Sequence, residues 1–377
     1  MGGKVFDNVG LKVPRMTPEF YQQMIATIRP KLEQFFTRVA IPRDAPGKTD
    51  HGDIDFLVDG IRSQLQDGSL WELVQDALGA SHHKAQGSHS YAIPHPVIEG
   101  AHVQVDVELN PGSFDWTLFM KGDGDLLQIL GIAHRPLGLT CTDLGLHVRL
   151  EEIESYDKKE ARVFLTDEPA QALLFYGLDI SKYNAGFGSE IELFDWVASG
   201  RFFSREVFER RIEKADDRTR QLKRPLYRHF VEDYMPTVSH SSSSKKIWTR
   251  AEVLHEALQT FDVEPEFDRK IAKHDLDQAE KRVWGEVKTR IVASDKSRKT
   301  AVRALKRWVG FDDGSPVVLQ HPLQPQQHLN WAAHVGPDNR QDVLGWVERN
   351  WQDVKSRDKA CQNVASSSSI GDHSARK

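Results

Sequence analysis

The sequence predicts an α+β chain in which a mixed β-sheet with flanking helices is followed by helical regions. Two observations indicate the sheet. Valines at every second position alternate with polar residues over 102–109, which is the period of a strand with one buried face. A short apolar run, Phe56–Val58, follows two aspartates and ends at Asp59-Gly60, as a buried strand would. Beyond about residue 125, apolar residues recur mainly at helical spacing, which predicts helices there.

The elements of the first region follow in order along the chain. Thr17 can cap a helix, and Pro18 suits its first turn. The residues between 42 and 52 are typical of a loop. The other expected elements are a strand at 37–41, a strand at 53–58, a helix at 70–78, a strand at 88–93 and the alternating strand at 102–109.

Composition changes suggest boundaries between regions. A serine run, 241–244, indicates a linker, and Thr249 with Glu252 forms a capping-box pattern that begins a new helix. The predicted organisation is a sheet-containing α/β domain at 1–125, a helical substrate-side region at 126–235, a Ser-rich linker at 236–246, a helical and partly basic domain at 247–360 and a disordered tail at 361–377.

Charge and cysteine content limit the classes of protein to consider. The 377-residue chain has a formal net charge of -5 and two cysteines, Cys141 and Cys361. Two cysteines do not make a disulfide framework, so we expect a reducing compartment, either cytoplasm or nucleus. We expect no membrane span, because no long apolar run is present. The sequence does not predict an oligomeric state.

One loop and strand, Ala45–Val58, contain two patterns associated with phosphate chemistry. Gly47-Lys48-Thr49 is the end of a P-loop pattern, but Pro42 stands in place of its first glycine. An apolar strand follows the loop, whereas a P-loop precedes a helix, so the first pattern is the weaker one. Asp53 and Asp55 are the second pattern. Residues two apart on a strand share a side, which places both carboxylates together next to the buried run.

The alternating strand supplies a third acid, Asp106, with Glu108 on the same side as a reserve candidate. If this strand pairs beside the first one, Asp53, Asp55 and Asp106 come together. Carboxylate oxygens are the ligands preferred by Mg²⁺, and a pair of such ions clamps the attacking and leaving oxygens in phosphoryl transfer. We therefore expect a site for two Mg²⁺ ions, with Mn²⁺ as an alternative.

The order of these motifs resembles the nucleotidyltransferases of the DNA polymerase β-like superfamily, especially the small phage- and fungus-type members. The matching segments are Gly2–Phe6, Gly47–Asp55 and Val103–Asp106. The resemblance implies a nucleotidyltransferase-type sheet, catalytic and metal-binding roles for the three aspartates, and a nucleoside triphosphate as substrate. It covers roughly the first 120 residues well.

One part of the family pattern has no counterpart here. The Gly-Ser pair that holds nucleotide phosphates should lie shortly before Gly47, where the sequence reads Arg43-Asp44-Ala45-Pro46. The candidates for phosphate contact in its place are Gly47, Lys48, Thr49 and, from the helical region, Arg135, with Arg43 as a further cation.

A basic region, Lys281–Trp308, lies in the third part of the chain and carries apolar residues at partly helical spacing. Such a pattern is equally typical of a solvated helix face and of a surface for RNA or DNA phosphates.

The leading functional prediction is a metal-dependent transfer of a nucleoside monophosphate from a triphosphate to a hydroxyl, with release of pyrophosphate. The alternative is a catalytically inactive relative that binds nucleic acid or a protein.

Overall fold

The computed structural model describes residues 3–62, 70–110, 112–209, 215–238, 246–324, 326–327 and 329–371. The chain divides into two compact units, Met1–Pro265 and Glu266–Lys377. The first unit contains the predicted sheet and the three aspartates. The second contains the basic region.

A five-stranded mixed sheet forms the centre of the first unit. Its strands are β1 (Phe36–Ala40), β2 (Ile54–Ile61), β3 (His82–Gln86), β4 (Ser88–Pro94) and β5 (His102–Leu109). Their spatial order is β1-β2-β5-β4-β3. The β2–β5 pair is parallel, and the other neighbours are antiparallel. The mixed α+β architecture predicted from the sequence is thus confirmed.

Two helices, α1 (Pro18–Leu32) and α2 (Leu70–Leu78), cover one face of this sheet. The Thr17 hydroxyl accepts a hydrogen bond from the Phe20 amide at 3.3 Å, which confirms the predicted cap. Ile28 and Val74 of these helices belong to the same buried cluster as Phe56 and Val105 of the sheet. Because side chains alternate along a strand, this packing leaves the aspartates of β2 and β5 on the opposite face.

A second, three-stranded antiparallel sheet follows in the region predicted to be helical, 126–235. After α3 (Phe114–Lys121) and α4 (Leu126–His134) come β6 (Leu139–Thr142), β7 (Gly145–Arg149) and β8 (Arg162–Thr166). These strands have four or five residues each, which is at the lower limit of the length over which alternation indicates a strand.

The remaining described elements of the first unit are helices. Its further helices are α5 (Glu151–Glu154), α6 (Pro169–Phe175), α7 (Ile180–Ala185), α8 (Glu190–Ser199), α9 (Arg205–Glu209), α10 (Ala215–Lys223), α11 (Pro225–His229) and α12 (Arg250–Phe261). The capping box predicted for α12 is present, with Thr249 and Glu252 each accepting from the other's backbone amide.

The second unit is mainly helical and contains one hairpin. Its elements are α13 (Glu264–Arg290), α14 (Asp295–Trp308), β9 (Val309–Asp312), β10 (Ser315–Val318) and α15 (Arg340–Gly371). Trp284, Leu305, Trp331 and Val347 lie in its buried core.

The boundaries differ from the predicted ones. The unit boundary at Pro265 comes after α12, which was expected to begin the third region at 247. Most of the expected linker, 239–245, lies outside the described residues. The tail expected from 361 begins inside α15, and 372–377 lie outside the described residues. Among the described helices, none is both long enough and apolar enough to cross a membrane.

Candidate metal centre

Three carboxylates meet where the parallel strands β2 and β5 lie side by side. Asp53 comes directly before β2, Asp55 is its second residue, and Asp106 lies within β5. The strand register pairs Asp55 with Asp106, and one oxygen from each of the three carboxylates lies within 4.8 Å of the others. The pairing inferred from sequence is therefore present, and these residues could hold a metal ion.

The electrostatics of the cluster are those of an unneutralised acidic site. Burial, followed by the charges of Asp53 and Asp106, raises the pKa of Asp55 to about 7. Asp55 is accessible from a cavity, but the surrounding protein limits its hydration. A cation bound here would remove this repulsion, because carboxylate oxygens are preferred ligands of hard divalent ions.

Asp106 has one satisfied and one unsatisfied oxygen. The Gln104 side-chain amide donates to its Oδ2 at 3.0 Å. Its Oδ1 is buried and has no hydrogen-bond partner within the described residues. Burial raises the pKa of Asp106, while hydrogen bonding from Ser90 and Gln104 opposes that rise. An unpartnered buried carboxylate oxygen is costly unless a ligand satisfies it, so this donor set fits a divalent cation.

A cavity of about 710 Å³ opens over the cluster. Its wall is highly charged, and acidic side chains outnumber basic ones. The acidic ones are Asp44, Asp53, Asp55, Asp106, Glu108, Asp125 and Glu190; the basic ones are Arg43, Lys48, Lys121 and Arg224. An anionic ligand would be repelled by this balance unless a cation entered with it.

Each basic side chain of the wall is held by an acid. Lys48 pairs with Asp44, and Lys121 pairs with Glu108. Arg224 reaches Asp125 at 3.0 Å. Glu108, the reserve candidate of the sequence analysis, is thus the partner of a cation and does not belong to the three-carboxylate cluster.

Arg43 is held more firmly than the lysines. Its Nε and Nη2 donate to the two carboxylate oxygens of Asp123 at 2.6 and 2.7 Å, and its Nη1 donates to the Tyr183 carbonyl at 2.7 Å. Its guanidinium also lies over the Tyr183 ring. Arg43 therefore fixes the loop before β2 to the helical region, whereas Lys48, Lys121 and Arg224 each pair with one acid of the wall.

The residues predicted for phosphate contact are not all at the cavity. Gly47 and Lys48 line it, and Gly47 has a φ of +73° in the turn that presents Lys48. Thr49 is exposed and is not part of the wall. Arg135 is also not part of the wall. Its guanidinium donates at 3.2 Å to Gln128, and Gln128 does line the cavity.

Sequence reasoning missed Lys121 and Arg224 as cavity residues. Lys121 ends the helix that follows β5, and Arg224 lies roughly one hundred residues further along the chain. Nothing local to Arg224 marks it as a site residue, although the position of Lys121 soon after the third acid is a usable signal.

The weaker P-loop interpretation has no structural support in this region. The backbone from Thr49 leads into β2, and a P-loop requires a helix at that point. The chemistry of this cavity thus centres on the carboxylates.

Comparison of the chain with protein-family models finds no family that matches, and comparison with curated proteins finds none of significant sequence similarity.

Proposed function

We propose that the protein is a metal-dependent nucleotidyltransferase. The observation that supports this best is the convergence of Asp53, Asp55 and Asp106 within 4.8 Å at a cavity with lysine and arginine side chains in its wall. Three carboxylates suit divalent cations, and the nearby cations suit the phosphates of a nucleotide. The position of the acids on adjacent strands is what the resemblance to the DNA polymerase β-like superfamily implies.

The proposed reaction transfers a nucleoside monophosphate to a hydroxyl. The hydroxyl oxygen forms a bond to the α-phosphorus, the bond to the β-phosphate oxygen breaks, pyrophosphate leaves, and the hydroxyl proton passes to solvent. Bound Mg²⁺ or Mn²⁺ would supply charge neutralisation of the phosphates and a lower pKa for the attacking hydroxyl. Asp53, Asp55 and Asp106 would hold the ions.

The remaining wall residues would bind and orient the triphosphate. Lys48 and Lys121 exchange their present carboxylate partners for phosphate oxygens, which are equally good acceptors for an ammonium group. They take the role that a Gly-Ser pair has in the family. Because the wall has an excess of acids, the nucleotide should bind only together with the cation.

The test is transfer of α-³²P label from each of four nucleoside triphosphates to a panel of RNA ends, proteins and small hydroxyl compounds. The wild type is compared with Asp53→Ala/Asp55→Ala and Asp106→Asn, and Asp76→Asn serves as a control, because Asp76 is an exposed acid of α2 away from the cavity. We expect cation-dependent transfer by the wild type and the control only. Equal transfer by the double variant would show that the assignment is wrong.

A second candidate function, nucleic-acid binding without catalysis, is supported by the second unit. Exposed cations on α14 occur three and four residues apart, so they share one face, opposite the buried Ala301 and Leu305. They are Lys296, Lys299, Arg303 and Lys306. Within the described part of the chain, no acid pairs with any of the four.

Two simple measurements distinguish nucleic-acid binding without catalysis from nucleotidyl transfer. If the site is inactive, nucleotide and cation together should not raise the melting temperature. Binding of an RNA oligonucleotide should then still weaken steeply with salt, and Lys299→Gln/Arg303→Gln should reduce both affinity and salt dependence. Nucleotide-dependent stabilisation of the wild type would favour the transferase.

A further inference from the structure

A segment far from the acids in sequence lies directly against them. The Gly3 amide donates to Asp53 Oδ2 at 3.0 Å. The Val5 amide donates to Gln104 Oε1 at 3.1 Å, and Lys84 Nζ donates to the Val5 carbonyl at 3.3 Å. We call residues 3–6 the clamp segment; its last residue, Phe6, is 2% exposed and anchors it in the protein.

Gln104 connects the clamp segment to the third carboxylate. Its side chain is 1% exposed. Its oxygen accepts from Val5, and its nitrogen donates to Asp106 Oδ2 at 3.0 Å. A reversed amide would bring two donors together on one side and two acceptors on the other, so these partners determine its orientation. Gln104 lies two residues before Asp106 in β5, on the same side of the sheet.

Only glycine fits at position 3. Gly3 has a φ of +83°, and a Cβ there would lie 2.5 Å from the carbonyl oxygen of Gly52, the residue before Asp53. Any other side chain would force the clamp segment away from Asp53 or displace the backbone that carries Asp53. Gly10 has a similar φ of +74°, but a Cβ there would meet nothing within 4 Å. It therefore provides a matched control for backbone strain alone.

We propose that the clamp segment and Gln104 are positioning residues of the metal centre. The inference rests on the metal site of the proposed function. Three carboxylates within 4.8 Å repel one another and would separate without restraint. The Gly3 amide restrains Asp53, and the Val5 amide restrains Asp106 through Gln104. Both acids are thus held for a cation before it arrives, and the free Oδ1 of Asp106 stays available to it.

The experiment measures Mn²⁺ affinity by calorimetry, together with the melting temperature without metal. Hydrogen-bond partners of metal ligands are typically worth about 10- to 100-fold in metal affinity. We therefore expect Gly3→Ala to weaken Mn²⁺ binding at least about tenfold, and Gly10→Ala to change it less than about twofold. Gln104→Met should also weaken binding about tenfold or more. Its control, Gln75→Met in α2, removes a 3.2 Å bond to the backbone carbonyl of Ala80 and should leave Mn²⁺ affinity unchanged.

A merely structural role would lower the metal-free melting temperature and leave the affinity of the folded protein unchanged. That result for both Gly3→Ala and Gln104→Met would overturn the proposal. If Gly3→Ala does not fold, Lys84→Gln and Lys84→Arg are compared, because both leave the backbone of the clamp segment unchanged and only the second keeps the charge of Lys84. Unchanged Mn²⁺ affinity in Lys84→Gln relative to Lys84→Arg, together with unchanged affinity in Gln104→Met, would equally overturn it.

The experiment distinguishes failure of the clamp proposal from failure of the transferase proposal. A wild type that binds Mn²⁺ but transfers no nucleotide contradicts the transferase and still allows the clamp to be tested by affinity. A wild type that binds no Mn²⁺ contradicts the clamp and the metal site together.

Discussion

Replacing Asp55 by asparagine should change the stability of the protein in opposite directions with and without a divalent cation. In the metal-free protein, Asp55 is surrounded by the charges of Asp53 and Asp106, and its pKa is raised to about 7. Asparagine has nearly the same shape without the charge, so it removes this repulsion. With metal, the same substitution removes a ligand.

The size of the stability change caused by Asp55→Asn follows from the distances between the carboxylates. Two carboxylates at the 4.8 Å limit repel by about 1 kcal/mol in water and about 3.5 kcal/mol at an effective dielectric constant of about 20. Asp55 is open to the cavity, so solvent screening applies and we expect a net gain of about 1–3 kcal/mol at pH 8. For a unit of this size, that corresponds to a melting temperature about 2–5 °C higher.

The size of the stability gain from Asp55→Asn in the metal-free protein depends on pH in a defined window. Below its usual pKa of 3.8, the Asp55 carboxyl is protonated in both the folded and the unfolded protein. Between that value and about 7, only the unfolded protein releases the proton, so the stability of the wild type falls as pH rises through this window. The advantage of Asp55→Asn should therefore grow from about pH 4 to about pH 7 and stay constant above it.

The assay is thermal unfolding of the wild type, Asp55→Asn and the surface control Asp76→Asn, in EDTA and in excess Mn²⁺, at several pH values. We expect the variant to be the more stable protein in EDTA at pH 8 and the less stable one in Mn²⁺. If Asp55→Asn destabilises the metal-free protein at pH 8, the carboxylates do not repel as described. If Mn²⁺ stabilises wild type and variant equally, Asp55 is not a ligand.

Three further predictions concern the cavity and the second core. Mn²⁺ binding must displace the proton of Asp55, so calorimetry should show about tenfold weaker binding at pH 6 than at pH 8; equal affinities would contradict proton displacement. Lys121→Met should weaken the affinity for Mg²⁺–nucleotide in a competition assay about tenfold, because one charge-assisted contact is lost, whereas Lys31→Met, which changes a partly exposed lysine in the last turn of α1, should leave that affinity unchanged. Asp358 is 1% exposed and accepts from Arg307 and Trp308 at 2.6 and 2.9 Å, so Asp358→Ala should lower the free energy of unfolding by about 1–3 kcal/mol in urea titrations followed by tryptophan fluorescence; an unchanged midpoint would show that this buried carboxylate is not stabilising.

Four of the five strands of the central sheet were predictable because their signals are local; β3 was not predicted. A strand with one buried face shows alternation in sequence, as 102–109 does, and a capped helix shows its first residue, as Thr17 does. The acids of the site were found for the same reason: Asp53 and Asp55 adjoin an apolar run, and Asp106 occupies a polar position of an alternating strand. Their convergence followed from the inference that the two strands are neighbours.

The short strands β6 to β8 were not predictable in this way. Four or five residues give at most two alternations, and β7 pairs with β8 through an irregular register near Leu146. Their stability comes from pairing with one another, which is a tertiary property that overrides local preference.

The contacts that complete the site also join distant parts of the chain. The Gly3–Asp53 bond spans 50 residues, the Val5–Gln104 bond 99, and the Arg224–Asp125 pair 99. Local patterns carry no information about such partners. The position of Arg135 was also not given by local pattern: its guanidinium donates to Gln128 and is not part of the cavity wall.

The pairing of Asp55 with Asp106 across parallel strands makes the metal centre sensitive to strand alignment. A slip of one residue between β2 and β5 would turn Asp106 to the helix-covered face and destroy the site. A cation held by the three carboxylates would therefore bind the correctly aligned sheet and no shifted alternative. At one hundred times its dissociation constant, it would favour the native alignment by about 2.7 kcal/mol. Divalent cations present during folding should thus favour the native strand register over shifted ones, before any substrate is bound.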